Sequence, residues 1–181
     1  VPGLRVHALV LSGGGTAREA EERSALRAFC PDAALEVTVC DFPDGGAPAN
    51  WGPIKAAVKE FRGTCEPDVV FATQPGDAHQ DHRLLAELVP TEFRDHLTLG
   101  YEIIKWETDT PVPTVFHPLD DATAELKAQL LHEHYPSQLS HDWFDELTFL
   151  GLARLRGVQC RSRYAEAFVT AKTLIRFEGQ A

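Results

Sequence analysis

Short apolar runs alternate with amphipathic stretches along the whole chain. Arg5-Val-His-Ala-Leu-Val-Leu11 is almost continuously apolar and predicts a strand buried on both faces of a parallel sheet. Ser12-Gly-Gly-Gly15 follows as a loop, and Thr16-Ala-Arg-Glu19 is a capping box that opens a helix to about residue 29. Residues 35–40 predict the next strand, closed by the loop Asp41-Phe-Pro-Asp-Gly-Gly46, and residues 54–61 an amphipathic helix. Residues 68–72 form a run of β-branched and aromatic side chains, followed by Pro75-Gly76 and a helix over about 81–88. A strand over 97–104, a helix over 125–134 and a helix over 142–156 complete the pattern, and 164–170 carries no clear period. This alternation predicts an α/β fold with a mostly parallel sheet between helices. Neither a repeat nor a low-complexity linker divides residues 1–181, so a single domain is expected.

Composition narrows the function classes. The formal net charge of -10 leaves no basic excess to displace counterions, which argues against nucleic acid as a partner. No apolar run is long enough to span a bilayer. Cys30, Cys40, Cys65 and Cys160 show no CxxC spacing and read as reduced structural thiols of a cytoplasmic protein. The chain has no methionine and opens almost directly into a strand, which gives the expectation that an upstream segment precedes Val1.

The candidate chemistry is concentrated in Asp77-Ala-His-Gln-Asp-His-Arg83. It follows a predicted strand, and in an open α/β sheet the carboxyl ends of strands carry the site. Imidazole and carboxylate suit zinc, and His79 and His82 can share one face of a starting helix. One of them can bind metal while the other faces the substrate, with Asp81 orienting a histidine from behind. Gly13, Gly14 and Gly15 can cradle a phosphate or simply turn the chain; the GxGxxG spacing and a P-loop lysine are absent. Arg18 can be a solvated cation or hold a polar substrate. Asp44 can be a turn residue before Gly45 or a site carboxylate, with Asp41 the weaker candidate. Of the clustered His132, His134 and His141, His132 and His141 read as inert surface histidines, and Glu166 reads as a structural ion-pair partner or a site group.

Taken in order, these features resemble the PIG-L/LmbE-like family of zinc-dependent N-acetylglucosaminyl deacetylases. The residues that carry the likeness are the glycine loop, Arg18-x-x-Glu21, Phe42-Pro-Asp-Gly45, Pro67-Asp-Val-Val-Phe71 and the 77–83 motif, with Lys127, Ser137-Gln138 and Tyr164-Ala-Glu-Ala-Phe168 downstream. The resemblance implies a Rossmann-like three-layer fold and hydrolysis of an N-acetyl group from a sugar or glycoconjugate, with metal-activated water as nucleophile. It implies Zn2+ as cofactor with His82 as a ligand, His79 at the oxyanion, Asp81 in support, and Arg18 and Asp44 at the substrate. The stretch 143–149 with Arg154 and Arg156 looks like a subgroup of glycan or natural-product sugar biosynthesis. The family's His-Pro-Asp-Asp loop, source of two more zinc ligands and the general base, has no counterpart in the chain; the expectation is that it lies upstream of Val1. A homo-oligomer is compatible with this reading. Rival readings are a non-catalytic sugar- or phosphate-binding domain and a metal-dependent phosphoesterase.

Overall fold

The structure, a computed structural model, describes residues 3–175. Strand β1 (Arg5–Val10) leads into helix α1 (Ala17–Phe29), and β2 (Ala34–Val39) into α2 (Trp51–Arg62). Strand β3 (Val69–Thr73) is followed by α3 (Gln80–Glu92), β4 (Leu97–Tyr101), β5 (Val115–Leu119), α4 (Asp121–His134), α5 (Glu146–Gln159) and β6 (Tyr164–Val169). The α/β class is as the pattern predicts.

The sheet differs from the expectation in three respects. The described strands form two sheets: β1 pairs with β2 alone, and the other four run in the order β3-β4-β6-β5. Both β1–β2 and β3–β4 are parallel, whereas β6 runs antiparallel to β4 and to β5. The sheet expected to be mostly parallel therefore turns antiparallel at its far side. Thirdly, β1 is only half-buried, because among the described residues it has a strand neighbour on one edge only. The same holds for β3, whose Phe71 is 59% exposed.

Two strands escaped the sequence pattern for identifiable reasons. β5 contains His117 and Pro118, and proline is tolerated there because β5 is an edge strand of its sheet. In β6, period two is written with alanine: Ala165 and Ala167 are buried while their neighbours are half-buried. The strand expected over 97–104 stops at Tyr101, and the chain then leaves the sheet as a long loop.

Helix α4 packs against both α1 and α5, and α2 packs with α3. The main core lies under α2 and α3, built on Ile54, Val58, Leu84, Leu88, Val89 and Phe93, with Leu9 of β1, Val70 of β3 and Leu11, just past β1, packed against it. Ile54, Val58 and Leu88 are almost wholly buried, and each contributes about 1.5–3 kcal/mol relative to exposure. This core fixes α3 against β1 and β3, so that the amino end of α3 meets the loops at the strands' carboxyl ends. Among the described residues no helix is long and apolar enough to cross a membrane.

Candidate active site

The turn from β3 into α3 is braced by its own side chains. The Asp77 carboxylate, 1% exposed, accepts the His79 amide at 2.8 Å through Oδ1. Its Oδ2 lies 3.0 Å from His82 Nδ1. Thr73 Oγ1 donates to the His82 carbonyl at 2.6 Å, and Arg83 donates to the carbonyls of Asp77 and Ala78. His79 caps the helix: its Nδ1 accepts the Asp81 amide at 3.3 Å.

These partners give the two histidines opposite tautomers. Nδ1 of His82 faces a carboxylate and carries the proton, which leaves the Nε2 lone pair free to bind a metal. Nδ1 of His79 accepts a hydrogen bond, so its proton sits on Nε2 and that atom is a donor. The rings lie 4.7 Å apart. One acceptor and one donor thus stand side by side.

Asp81 is placed differently from the expectation. Its carboxylate accepts the amides of Gly45 at 2.8 Å and Ala47 at 3.0 Å, so it ties the loop after β2 to α3 and does not orient an imidazole. Asp77 does that instead. The physical reason is helical geometry: Asp81 follows His79 by two residues and so projects from another face of the turn. Through this tie the loop brings Asp44 over α1, where Arg18 Nη1 meets Asp44 Oδ2 at 3.2 Å. The two expected substrate residues are therefore bonded to each other, both more than half exposed, as a pair that contributes little to stability.

The glycine loop has a structural task. Gly14 donates its amide to the Cys40 carbonyl at 2.9 Å, and a Cβ on Gly14 would come within 2.8 Å of that oxygen. Gly13 and Gly15 have φ of 93° and 73°. Thr16 caps α1 as expected by accepting the Arg18 amide, while Glu19 reaches past the cap residue to the Gly15 amide, so the reciprocal bond of a capping box is shifted by one residue. Gly14→Ala is expected to push the loops after β1 and β2 apart and cost about 1–3 kcal/mol, read from the urea midpoint. A midpoint equal to that of the parent protein would show that the loops yield freely.

Sequence reasoning missed Lys105 and Asp109. Lys105 Nζ lies 3.0 Å from Asp77 Oδ1 and 2.5 Å from Asp109 Oδ2. Asp109 also accepts the Ala78 amide at 2.6 Å, and its backbone oxygen accepts from Gln74 Nε2. Residues 105–109 thus clamp the β3–α3 turn from above. A Lys and an Asp four apart are an ordinary helical pair, and only their placement in an irregular loop gives them this use. Elsewhere Glu166 pairs with Lys127, and His134 shares a hydrogen bond with Ser24 Oγ, at 3.0 Å.

Burial pushes the Asp77 carboxyl up, but the His79 amide, His82 and Lys105 outweigh it and hold it below the usual carboxylate range. Asp109 is held low against burial by the Ala78 amide and Lys105. Burial pushes the Lys105 ammonium down, yet its two carboxylate partners raise it overall. The carboxylates therefore stabilise the fold fully above their ordinary value of 3.8, and that contribution is lost as the pH falls through their lower folded values. Lys105 contributes fully below 10.5 and loses its contribution as the pH rises through its higher folded value. The contribution of this cluster to the melting temperature is expected to be constant between these limits and to fall on both sides. Asp109→Asn should flatten the acid limb, and an unchanged acid limb would remove Asp109 from the network.

Zinc is the metal the resemblance implies, and the donors available test that implication. His82 Nε2 fits one position of a zinc shell, whereas a catalytic zinc takes about three protein ligands. Among the described residues no group of three or more His, Cys, Asp or Glu side chains converges. The described residues therefore supply part of a shell and do not by themselves fit a complete one. All four cysteines are free.

Solved structures that share the fold include three at low sequence identity. The conserved protein TT1542 from Thermus thermophilus is 20% identical with a TM-score of 0.71, covering 99% of this chain and 87% of its own. The N,N'-diacetylchitobiose deacetylase from Pyrococcus horikoshii, complexed with an inhibitor, is 19% identical with a TM-score of 0.61, covering 92% and 72%. GalB, the 4-carboxy-2-hydroxymuconate hydratase from Pseudomonas putida, is 14% identical with a TM-score of 0.58, covering 98% and 88%. No curated protein matches the sequence. The family comparison reaches further than fold, because its match takes in Arg18, Asp44, Asp77, His79, Asp81 and His82 and supports a deacetylase-type function. Residues 5–92 of the chain match the model of the PIG-L family, described as GlcNAc-PI de-N-acetylase.

Proposed function

We propose that this protein is a zinc-dependent hydrolase that removes the N-acetyl group from an N-acetylglucosamine-type sugar or glycoconjugate. The observation that carries this reading is the pair of opposite tautomers: His82 offers a lone pair and His79 a proton, 4.7 Å apart, within the PIG-L stretch. When bound, zinc would polarise the acetamide carbonyl and acidify a water. His82 Nε2 is the ligand position that this chain contributes, and Asp77 holds that ring in place. His79 Nε2 donates to the oxygen that gains charge as the carbonyl carbon becomes tetrahedral. Arg18 and Asp44, exposed at the same edge, offer a donor and an acceptor to sugar hydroxyls.

The fold alone does not select this chemistry, since one neighbour is a hydratase and another a deacetylase. The family match and the histidine pair favour amide hydrolysis. Free thiols suit a reducing compartment, which supports a cytoplasmic setting. The test is amine release from N-acetylglucosaminides by the natural full-length protein, with metal content measured on the same sample. Amine release that tracks zinc content is expected. A zinc-loaded protein that releases no amine, yet frees phosphate from p-nitrophenyl phosphate, would replace this reading with the phosphoesterase.

A further inference from the structure

The loop after β4 carries a second feature that the histidine site does not use. Its two ends are tied together by Arg156, which is 4% exposed. The guanidinium donates to Glu102 at 2.7 and 2.5 Å and to the Pro111 carbonyl at 3.1 Å. The middle of the loop is tied to Asp77 and Ala78 through Lys105 and Asp109. Between these anchors stands Trp106, 66% exposed, the most exposed aromatic side chain among the described residues. Its indole is nevertheless held, for Nε1 donates to Asp142 Oδ1 at 2.8 Å.

Trp106 meets two further rings from the segment before α5. His141 and Trp143 stack with centroids 5.7 Å apart and planes inclined by 9°. Trp106 stands almost perpendicular to both, at 5.7 Å and 86° from His141 and at 6.2 Å and 85° from Trp143. Trp143 leans in turn on Phe144, which is buried and packs on Phe149. The result is a corner of two aromatic walls in which Trp106 stays largely exposed while Phe144 is buried behind Trp143. Trp143 Nε1 is buried without a hydrogen-bond partner, a polar group that the protein leaves unmet. Folding alone does not call for an exposed indole on so rigid a mount, and pre-organised aromatic surface is characteristic of binding sites.

We infer that Trp106, His141 and Trp143 form a stacking platform for a second sugar ring, next to the ring whose acetamide meets His79 and His82. This rests on the sugar-deacetylase reading above for the neighbouring site. A pyranose has an apolar face of C–H bonds and a rim of hydroxyls. The indole walls suit the face, and Asp142 at the rim suits hydroxyl donors. An anionic ligand is disfavoured here, because Asp142 lies at the corner and the whole chain carries a net charge of -10. Trp106 stands next in the chain to Lys105, which bonds the Asp77 carboxylate that holds His82, and this adjacency ties the platform to the histidine site.

The test compares N,N'-diacetylchitobiose with N-acetylglucosamine as ligands of the natural full-length protein. Binding is followed by tryptophan fluorescence and calorimetry, and amine release is measured in parallel. The disaccharide is expected to bind about tenfold more tightly than the monosaccharide. Trp106→Ala should abolish that difference while leaving the monosaccharide affinity unchanged, and Trp106→Phe, which keeps an apolar face, should restore most of it. Equal affinities in the parent protein, or an advantage that survives in Trp106→Ala, would overturn the platform. An equal gain from phenyl N-acetylglucosaminide would overturn its assignment to a sugar. Binding that follows this pattern without amine release would keep the platform and sink the deacetylase reading, so the two fail separately.

Discussion

Lys105→Met is expected to destabilise the fold by on the order of 3–5 kcal/mol, the cost of leaving buried carboxylates without their cation. Asp77 and Asp109 have side chains only 1% and 10% exposed, and Lys105 is the ammonium that both share. For a chain of this length the loss corresponds to roughly 10 °C or more in melting temperature. Methionine keeps the length and the apolar stem of lysine, so the change isolates the charge. The double variant Lys105→Met/Asp109→Asn should recover part of the loss, because one of the two orphaned charges is then removed. Urea denaturation of the three proteins decides the matter. A loss below about 1 kcal/mol in the single variant would mean that the cluster is screened like a surface pair and does not clamp the site.

The second large effect separates the two histidines. His82→Ala in the natural full-length protein should remove bound zinc and amine release together, since the proposed function assigns the metal-binding lone pair to Nε2 of His82. His79→Ala should retain zinc and lower kcat on the order of 10²- to 10³-fold, as removal of one oxyanion donor does elsewhere. The prediction follows from tautomers that neighbouring groups impose, Asp77 Oδ2 on His82 and the Asp81 amide on His79. Metal analysis and steady-state kinetics on both variants read it out. Zinc lost in His79→Ala and kept in His82→Ala would exchange the roles.

The sequence by itself determined the elements and the address of the site. Apolar period and turn residues located β1 to β4 and the five helices, because each buries one face and ends on Gly, Pro or a capping side chain. The HxDH spacing after an apolar strand placed the histidines at the carboxyl edge of a sheet, since connectivity alone forces that position. Tertiary structure decided the rest. β5 was invisible because an edge strand accepts proline, and β6 because its buried face is two alanines. The histidine's supporting carboxylate proved to be Asp77 and not Asp81, a matter of which face of one helical turn each residue occupies. Lys105 reaches Asp77 and Asp109 reaches Ala78 from more than 25 residues along the chain, and Trp106 meets Trp143 from still further. No local pattern encodes such meetings. They arise only when Arg156, buried in another helix, draws the loop after β4 closed over the turn it clamps.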